Sequence, residues 1–229
     1  MRQQAAGTSV RTLLCSTFLV VATGIPLPAA QAPAQIQFEV ERTLQRERDL
    51  RSIEVSVAGS EVTLAGRVPT FWTKSQAIEK TLEIAGVETV VSELEVPAVE
   101  SDDELAQEVL REILGYRNYT MWDHIQGSVT RGVVRLSGSV TPDRDKAGEL
   151  FERLAKIRGV QDVQLMIEKQ SASRRDEELR ALIAWRVFRS DHFSIYAARA
   201  RPPFHILVDN QIVTLVGVVR NEVERRLLE

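Results

Sequence analysis

Cysteine is nearly missing from this chain: there is one, Cys15, and it lies within the first 34 residues. Beyond that stretch no thiol remains, which excludes a disulfide framework, a cysteine nucleophile and a cysteine-ligated metal. Histidine is scarce too. His124, His192 and His205 sit in unrelated contexts without His-x-x-His or His-Glu-x-x-His spacing, so no metal site is expected from them. Asp191-His192 followed by Ser194 has the residue types of a hydrolase triad. Adjacent residues do not form a triad, however, and no nucleophile elbow surrounds this serine. The glycines are scattered singly, with no phosphate loop or dinucleotide fingerprint. The chain therefore reads as a non-enzyme that needs neither cofactor nor metal.

An excess of positive charge is also lacking. The formal charge is −3, and setting aside Arg2 and Arg11, the only charges of residues 1–34, takes it to −5. Basic residues alternate with acids, as across Lys169 to Arg180, so nucleic acid is not an expected partner. What is present, 44% hydrophobic and 27% charged residues, is the composition of a folded globular protein.

Residues 1–34 read as an export signal. Arg2 and Arg11 precede an apolar run from Leu13 to Ile25, and Ala29, Ala30, Ala32 and Ala34 supply small residues for cleavage. Ala32-Pro33-Ala34 fits cleavage before Gln35, Ala30 offers a second point, and an uncleaved anchor is the alternative. The run is shorter than the roughly 20 residues of a membrane span. Leu14 stands where a lipoprotein signal would carry a small residue before Cys15. Periplasmic or otherwise exported localisation follows as an expectation.

The strongest signal is a repeat. Glu61-Val62-Thr63-Leu64-Ala65-Gly66-Arg67-Val68 is echoed by Val133-Val134-Arg135-Leu136-Ser137-Gly138-Ser139-Val140 and by Ile212-Val213-Thr214-Leu215-Val216-Gly217-Val218-Val219, the glycines falling 72 and 79 residues apart. Such a spacing is that of small domains rather than a solenoid. Alternation of Val62, Leu64 and Val68 against Glu61, Thr63 and Arg67 marks a half-buried strand. A preceding strand and a two-residue turn (Gly59-Ser60, Arg131-Gly132, Asn210-Gln211) make each copy a hairpin.

Helical spacing follows in the two full copies, with Ala77, Ile78, Thr81, Leu82 and Ala85 forming one stripe and Ala147, Leu150, Phe151, Leu154 and Ile157 the other. Thr141-Pro142 is the expected start of the second of these helices. Gly86-Val87 and Gly159-Val160 end them, and final strands run over Thr89–Val96 and Asp162–Lys169. Helices are expected before each hairpin, over Phe38–Leu50, from the Ser101-Asp102-Asp103-Glu104 capping box, and over Arg174–Phe188. The expected class is α+β: tandem modules of helix, strand, strand, helix, strand, each with a three-stranded sheet covered by helices. Module boundaries are set at 36–98, 101–170 and 173–229. The third has no second Gly-Val and no closing strand before Glu229, so it is either a fragment here or incomplete, with an open sheet edge.

This order of elements, with the hydrophobic-x-Leu-x-Gly-x-Val strand in every copy and the Gly-Val before the last strand, resembles the BON domain of bacterial osmotic-shock periplasmic proteins. The resemblance covers almost all of residues 36–229. It implies a periplasmic or outer-membrane-associated protein that contacts phospholipid surfaces or partner proteins, with roles in envelope integrity under stress or in outer-membrane protein assembly. It implies no catalytic residues. Its glycines match Gly66, Gly138 and Gly217, whose role is backbone geometry.

Two groups of candidate contact residues stand out. Phe71-Trp72 with Lys74 suits a headgroup region, where rings and cations are both accommodated, although a ring stapling a helix to the core is the plainer reading. In the third module Leu207, Ile212, Val216 and Val218 fall on the strand face where the first module has Glu54, Glu61 and Arg67, so a cover for that face is expected. The leading expectation is a scaffold on the envelope phospholipid surface or on envelope proteins. The alternative is a periplasmic chaperone or assembly factor for exported proteins.

Overall fold

The computed structural model describes residues 32–98, 101–197 and 203–228, so the expected export signal lies almost wholly outside the described residues. The first unit runs α1 (Pro33–Leu44), a 3-10 turn (Arg48–Leu50), β1 (Glu54–Ala58), β2 (Glu61–Arg67), α2 (Phe71–Leu82) and β3 (Thr89–Glu95). β1 pairs antiparallel with β2 across the tight turn, and β3 returns parallel to β2 because α2 carries the chain back across the sheet. Val62 and Leu64 point into a core with Ile36, Val40, Leu44, Leu50, Ala77 and Leu94. The first helix starts and ends earlier than the expected Phe38–Leu50, because its buried stripe is Ile36, Val40 and Leu44, spaced by four. Phe38 is left on the outer side. Only Ala77, Thr81 and Thr73 of α2 are buried, which lets its backbone approach the sheet closely, while Leu82 of the expected stripe is exposed.

The second unit repeats the plan with α3 (Asp102–Gly115), β4 (His124–Thr130), β5 (Val133–Val140), α4 (Lys146–Ala155) and β6 (Asp162–Lys169), in sheet order β4-β5-β6. Ser101 caps α3 by accepting the Glu104 N–H at 3.3 Å. α4 starts at Lys146 rather than at Thr141-Pro142. The Thr141 hydroxyl and amide are both drawn to the buried Asp123 carboxylate, so Thr141 does not cap the helix.

The third unit comprises α5 (Arg174–Phe188), α6 (Ser194–Ala197), β7 (Phe204–Asp209), β8 (Ile212–Gly217) and α7 (Glu222–Leu228). Phe193, Tyr196 and Phe204 form an edge-to-face cluster under the hairpin, with Ile206 and Val208 beside it. Among the described residues β8 has no third strand. The consequence is visible in burial: Val213 and Leu215 are 43% and 37% exposed, whereas Val62, Leu64, Val134 and Leu136 at the matching positions are 0% exposed.

Two details show the units to be variations on one design. In the last two hairpins both turn residues have positive φ, the geometry of a type I′ turn, and an aspartate from the first turn of the preceding helix accepts both turn amides. Asp102 takes those of Arg131 and Gly132, and Asp176 those of Asn210 and Gln211, the latter at 3.0 and 2.8 Å. Gly66, Gly138 and Gly217 also share φ values of +127°, +135° and +139°. At Gly138 a Cβ would lie 2.0 Å from the His124 carbonyl oxygen, so only glycine lets β5 close on the start of β4.

Candidate functional site

Phe71 and Trp72 open α2 behind Thr70, whose hydroxyl accepts the Thr73 N–H. Both rings are half-buried and meet Phe151 of α4 edge-on, at centroid distances of 6.1 and 6.2 Å. Lys156 of α4 lies 5.2 Å over Trp72, and Lys74 turns back to donate to the Leu94 carbonyl at 2.9 Å. The structure thus brings Phe71 and Trp72 to the contact between the first and second units, whereas Lys74 is held within the first. Gln161 adds to it by donating to the Val96 carbonyl at 3.2 Å.

Behind that contact, the groove between α3 and α4 has a volume of about 660 Å³ and is lined by Glu108, Glu112, Tyr116, Glu149, Arg153 and Lys156 among others. Many of its charges are paired with one another: Glu112 with Arg153, Glu149 with Arg144, and Glu152 with Lys156. Tyr116 donates to Glu149 at 2.7 Å, and burial together with this bond pushes the phenol up to about 12. The same bond, followed by Arg144, holds the Glu149 carboxyl below its ordinary range.

The second unit also contains a buried ion pair, Lys146 with Asp123, 2% and 0% exposed. Lys146 Nζ lies 2.9 Å from both carboxylate oxygens, and the amides and hydroxyls of Thr120 and Thr141 donate to them as well. So many partners make this a structural knot rather than a reactive group. It fixes the segment Met121-Trp122, on which the third unit rests: the Ile206 N–H donates to the Met121 carbonyl at 2.8 Å, and Met121 and Trp122 pack against the third core. The rings of Tyr119 and His124 each lie 5.5 Å from that of His205 at the same contact.

Ile212 and Val218, 68% and 72% exposed, form with half-buried Leu207 and Val216 the outer side of the third hairpin. Sequence reasoning did not single out two further groups, both on helices. Phe38 of α1 is 61% exposed with the Arg42 guanidinium 6.0 Å from its ring centroid, and Trp185 of α5 is 59% exposed with Arg189 at 5.1 Å. Each ring stands opposite its helix's buried stripe and each arginine lies one turn on, so ring and cation share one outward face. Leu182, 55% exposed, and Arg186 extend the α5 face. An aromatic followed four residues later by arginine, on the side away from the stripe, is the signal that would have found them. Among the described residues no three His, Cys, Asp or Glu could hold a metal, and no helix is long and apolar enough to cross a membrane.

The BON domain family model matches twice, over residues 33–98 and 101–168. No curated protein matches the chain. Among solved structures, CdsD, a structural protein of the type III secretion system of Chlamydia trachomatis, is similar at 15% identity, with 64% of this chain and 68% of that one covered and a TM-score of 0.27. A structure of the C-terminal domain of CdsD is similar at 14% identity, with 60% and 67% covered and a TM-score of 0.26. At such TM-scores the likeness bears on neither mechanism nor partner.

Proposed function

We propose, from the premise that this chain belongs to the BON domain family, that it is a non-catalytic protein of the bacterial envelope that docks on phospholipid surfaces through helix faces outside its cores. The family is generally non-catalytic and envelope-associated, and exported localisation is part of the same proposal. α1 begins at Pro33, so removal of residues 1–30 would leave this helix whole.

The observation that carries the reading is the pair of exposed rings with arginines, Phe38 with Arg42 and Trp185 with Arg189. Amphipathic rings settle at the level of the headgroups, and cations beside them meet lipid phosphate. Transfer of one such ring from water is worth roughly 2 kcal/mol, and Arg189 near an anionic leaflet adds about 1 kcal/mol, Arg42 less because Glu39 pairs with it. Each contact alone is weak. Two on one chain add avidity where both reach the same bilayer.

Co-sedimentation with phosphatidylglycerol and phosphatidylcholine vesicles, at low and high salt, tests the proposal. The native chain should bind the anionic vesicles more tightly, and the double variant Phe38→Ala, Trp185→Ala should lose most of that binding. Native chain that stays in the supernatant with both lipids sinks the proposal. A second reading, an assembly factor for exported proteins, draws on the apolar outer side of the third hairpin, where Ile212 and Val218 are exposed. It gains if the chain ignores vesicles while charged replacements of Ile212 and Val218 abolish crosslinks to extended polypeptides.

A further inference from the structure

The contact between the second and third units is built around two imidazoles. His124 opens β4, His205 lies on β7, and their ring centroids are 5.5 Å apart. Next to His205 in the chain, Ile206 donates its N–H across the contact to Met121. The Nδ1 atoms of both imidazoles are shut off from solvent and lack a hydrogen bond of good geometry. From these observations we infer that the joint is a pH-operated latch, closed while the His205 imidazole is neutral and opened by its protonation.

The groups that face the pair leave protonation poorly compensated. Tyr119 and Asp123 come from the segment before β4, Lys146 from α4, and Gln126 from β4, while Ser139 of β5 is the strand partner of His124 and Val216 of β8 that of His205. Asp123 is the one carboxylate among them, and Lys146 with two threonines already engages it. Burial, and after it the neighbouring His124, hold the His205 imidazole below its ordinary 6.5, against a smaller opposite pull from the Thr120 and Asp123 backbone and the Asp123 carboxylate. The docked state therefore binds fewer protons than the open one. Its stability is fully present above the ordinary histidine value of about 6.5 and is lost as pH falls toward and through the lowered value.

Opening need not unfold the third unit. Arg180 of α5 bonds the Val208 carbonyl and Asp176 accepts the Asn210 and Gln211 amides, so α5 stays tied to the β7–β8 hairpin independently of the imidazoles. Release would uncover Met121, which is 9% exposed in the closed form. The latch is thus a way to present an apolar surface only in acid.

Hydrogen exchange of the Ile206 amide in the full chain, corrected for intrinsic chemistry, reads the opening constant directly. Between pH 7.5 and 5.5 that constant should rise by up to about tenfold per pH unit as one proton is taken up. The amides of Val134 and Leu136 serve as references that should not change. His205→Phe keeps an aromatic ring in the stack and should flatten the dependence, while His124→Gln should reduce its slope. A native Ile206 amide indifferent to pH overturns the inference, as does a His205→Phe chain with the native slope. Should His205→Phe fail to dock, seen as lost Ile206 protection at pH 7.5, the slope of His124→Gln decides, and an unchanged slope refutes the latch.

Discussion

Replacing Asp123 by alanine tests the claim that one buried carboxylate organises the second unit and the segment on which the third rests. The substitution strands the Lys146 ammonium, 2% exposed, and leaves donors of Thr120 and Thr141 without their acceptor. Removing one partner of a buried ion pair destabilises by about 3–5 kcal/mol. The orphaned threonine donors belong to the same knot, so their penalties of about 1–3 kcal/mol each overlap with that figure and do not add to it. With a urea slope of about 2 kcal/mol per molar, the unfolding midpoint should fall by roughly 2 M. NMR signals of Leu136 and Leu150 report the second unit alone, so the transitions of the other units do not blur the result. The double variant Asp123→Ala, Lys146→Met should recover part of the loss, because the unpaired charge is gone. A single-variant penalty below about 1 kcal/mol, where surface substitutions fall, would refute the reasoning. So would a double variant less stable than the single one.

Gly138→Ala should destabilise the second unit by at least about 2 kcal/mol in the same urea assay, because the new Cβ would strike the His124 carbonyl at a φ of +135°. Gly59→Ala, at φ +67° with nothing within 4 Å, should destabilise the first unit less, by about 1 kcal/mol. Ultraviolet titration should show one tyrosine ionising near 12, a step that Tyr116→Phe removes. Since the folded value of Tyr116 is raised, the stability it contributes is fully present below its ordinary 10.0 and is lost as pH rises through about 12.

Much of the fold was legible because its signals are local. Alternation in Val62, Leu64 and Val68, the turn dipeptides and the Ser101 cap each act within a few residues, and the three copies agree with one another. The structure departs from expectation where a distant group competes. Thr141 has the sequence of a helix cap but is captured by Asp123, 18 residues away. Of the expected stripe on α2, Ala77 and Thr81 are buried, while Leu82 and Ala85, at and just past the helix end, are exposed.

The candidate surface was harder to see. Phe71 and Trp72 have a composition suited to a bilayer, and they meet Phe151 of the next unit, a contact between residues nearly 80 positions apart that periodicity within one module cannot reveal. Phe38 and Trp185 are conspicuous only once the buried stripes of α1 and α5 are known, because an exposed ring is defined by what its helix buries. The knot at Asp123 and the imidazole pair were invisible for the same reason: each joins residues from separate elements.

The central claim is that this protein rests on phospholipid through its outward helix faces, and the most direct test follows Trp185 itself. A chain carrying Trp72→Phe and Trp122→Phe retains Trp185 as its one tryptophan, and its fluorescence can be read with anionic vesicles whose lipids are brominated at known depths. Docking predicts a blue shift and quenching strongest for bromines nearest the headgroups. Emission that stays at its aqueous position, unquenched at every depth while the chain is bound to the vesicles, would contradict the account.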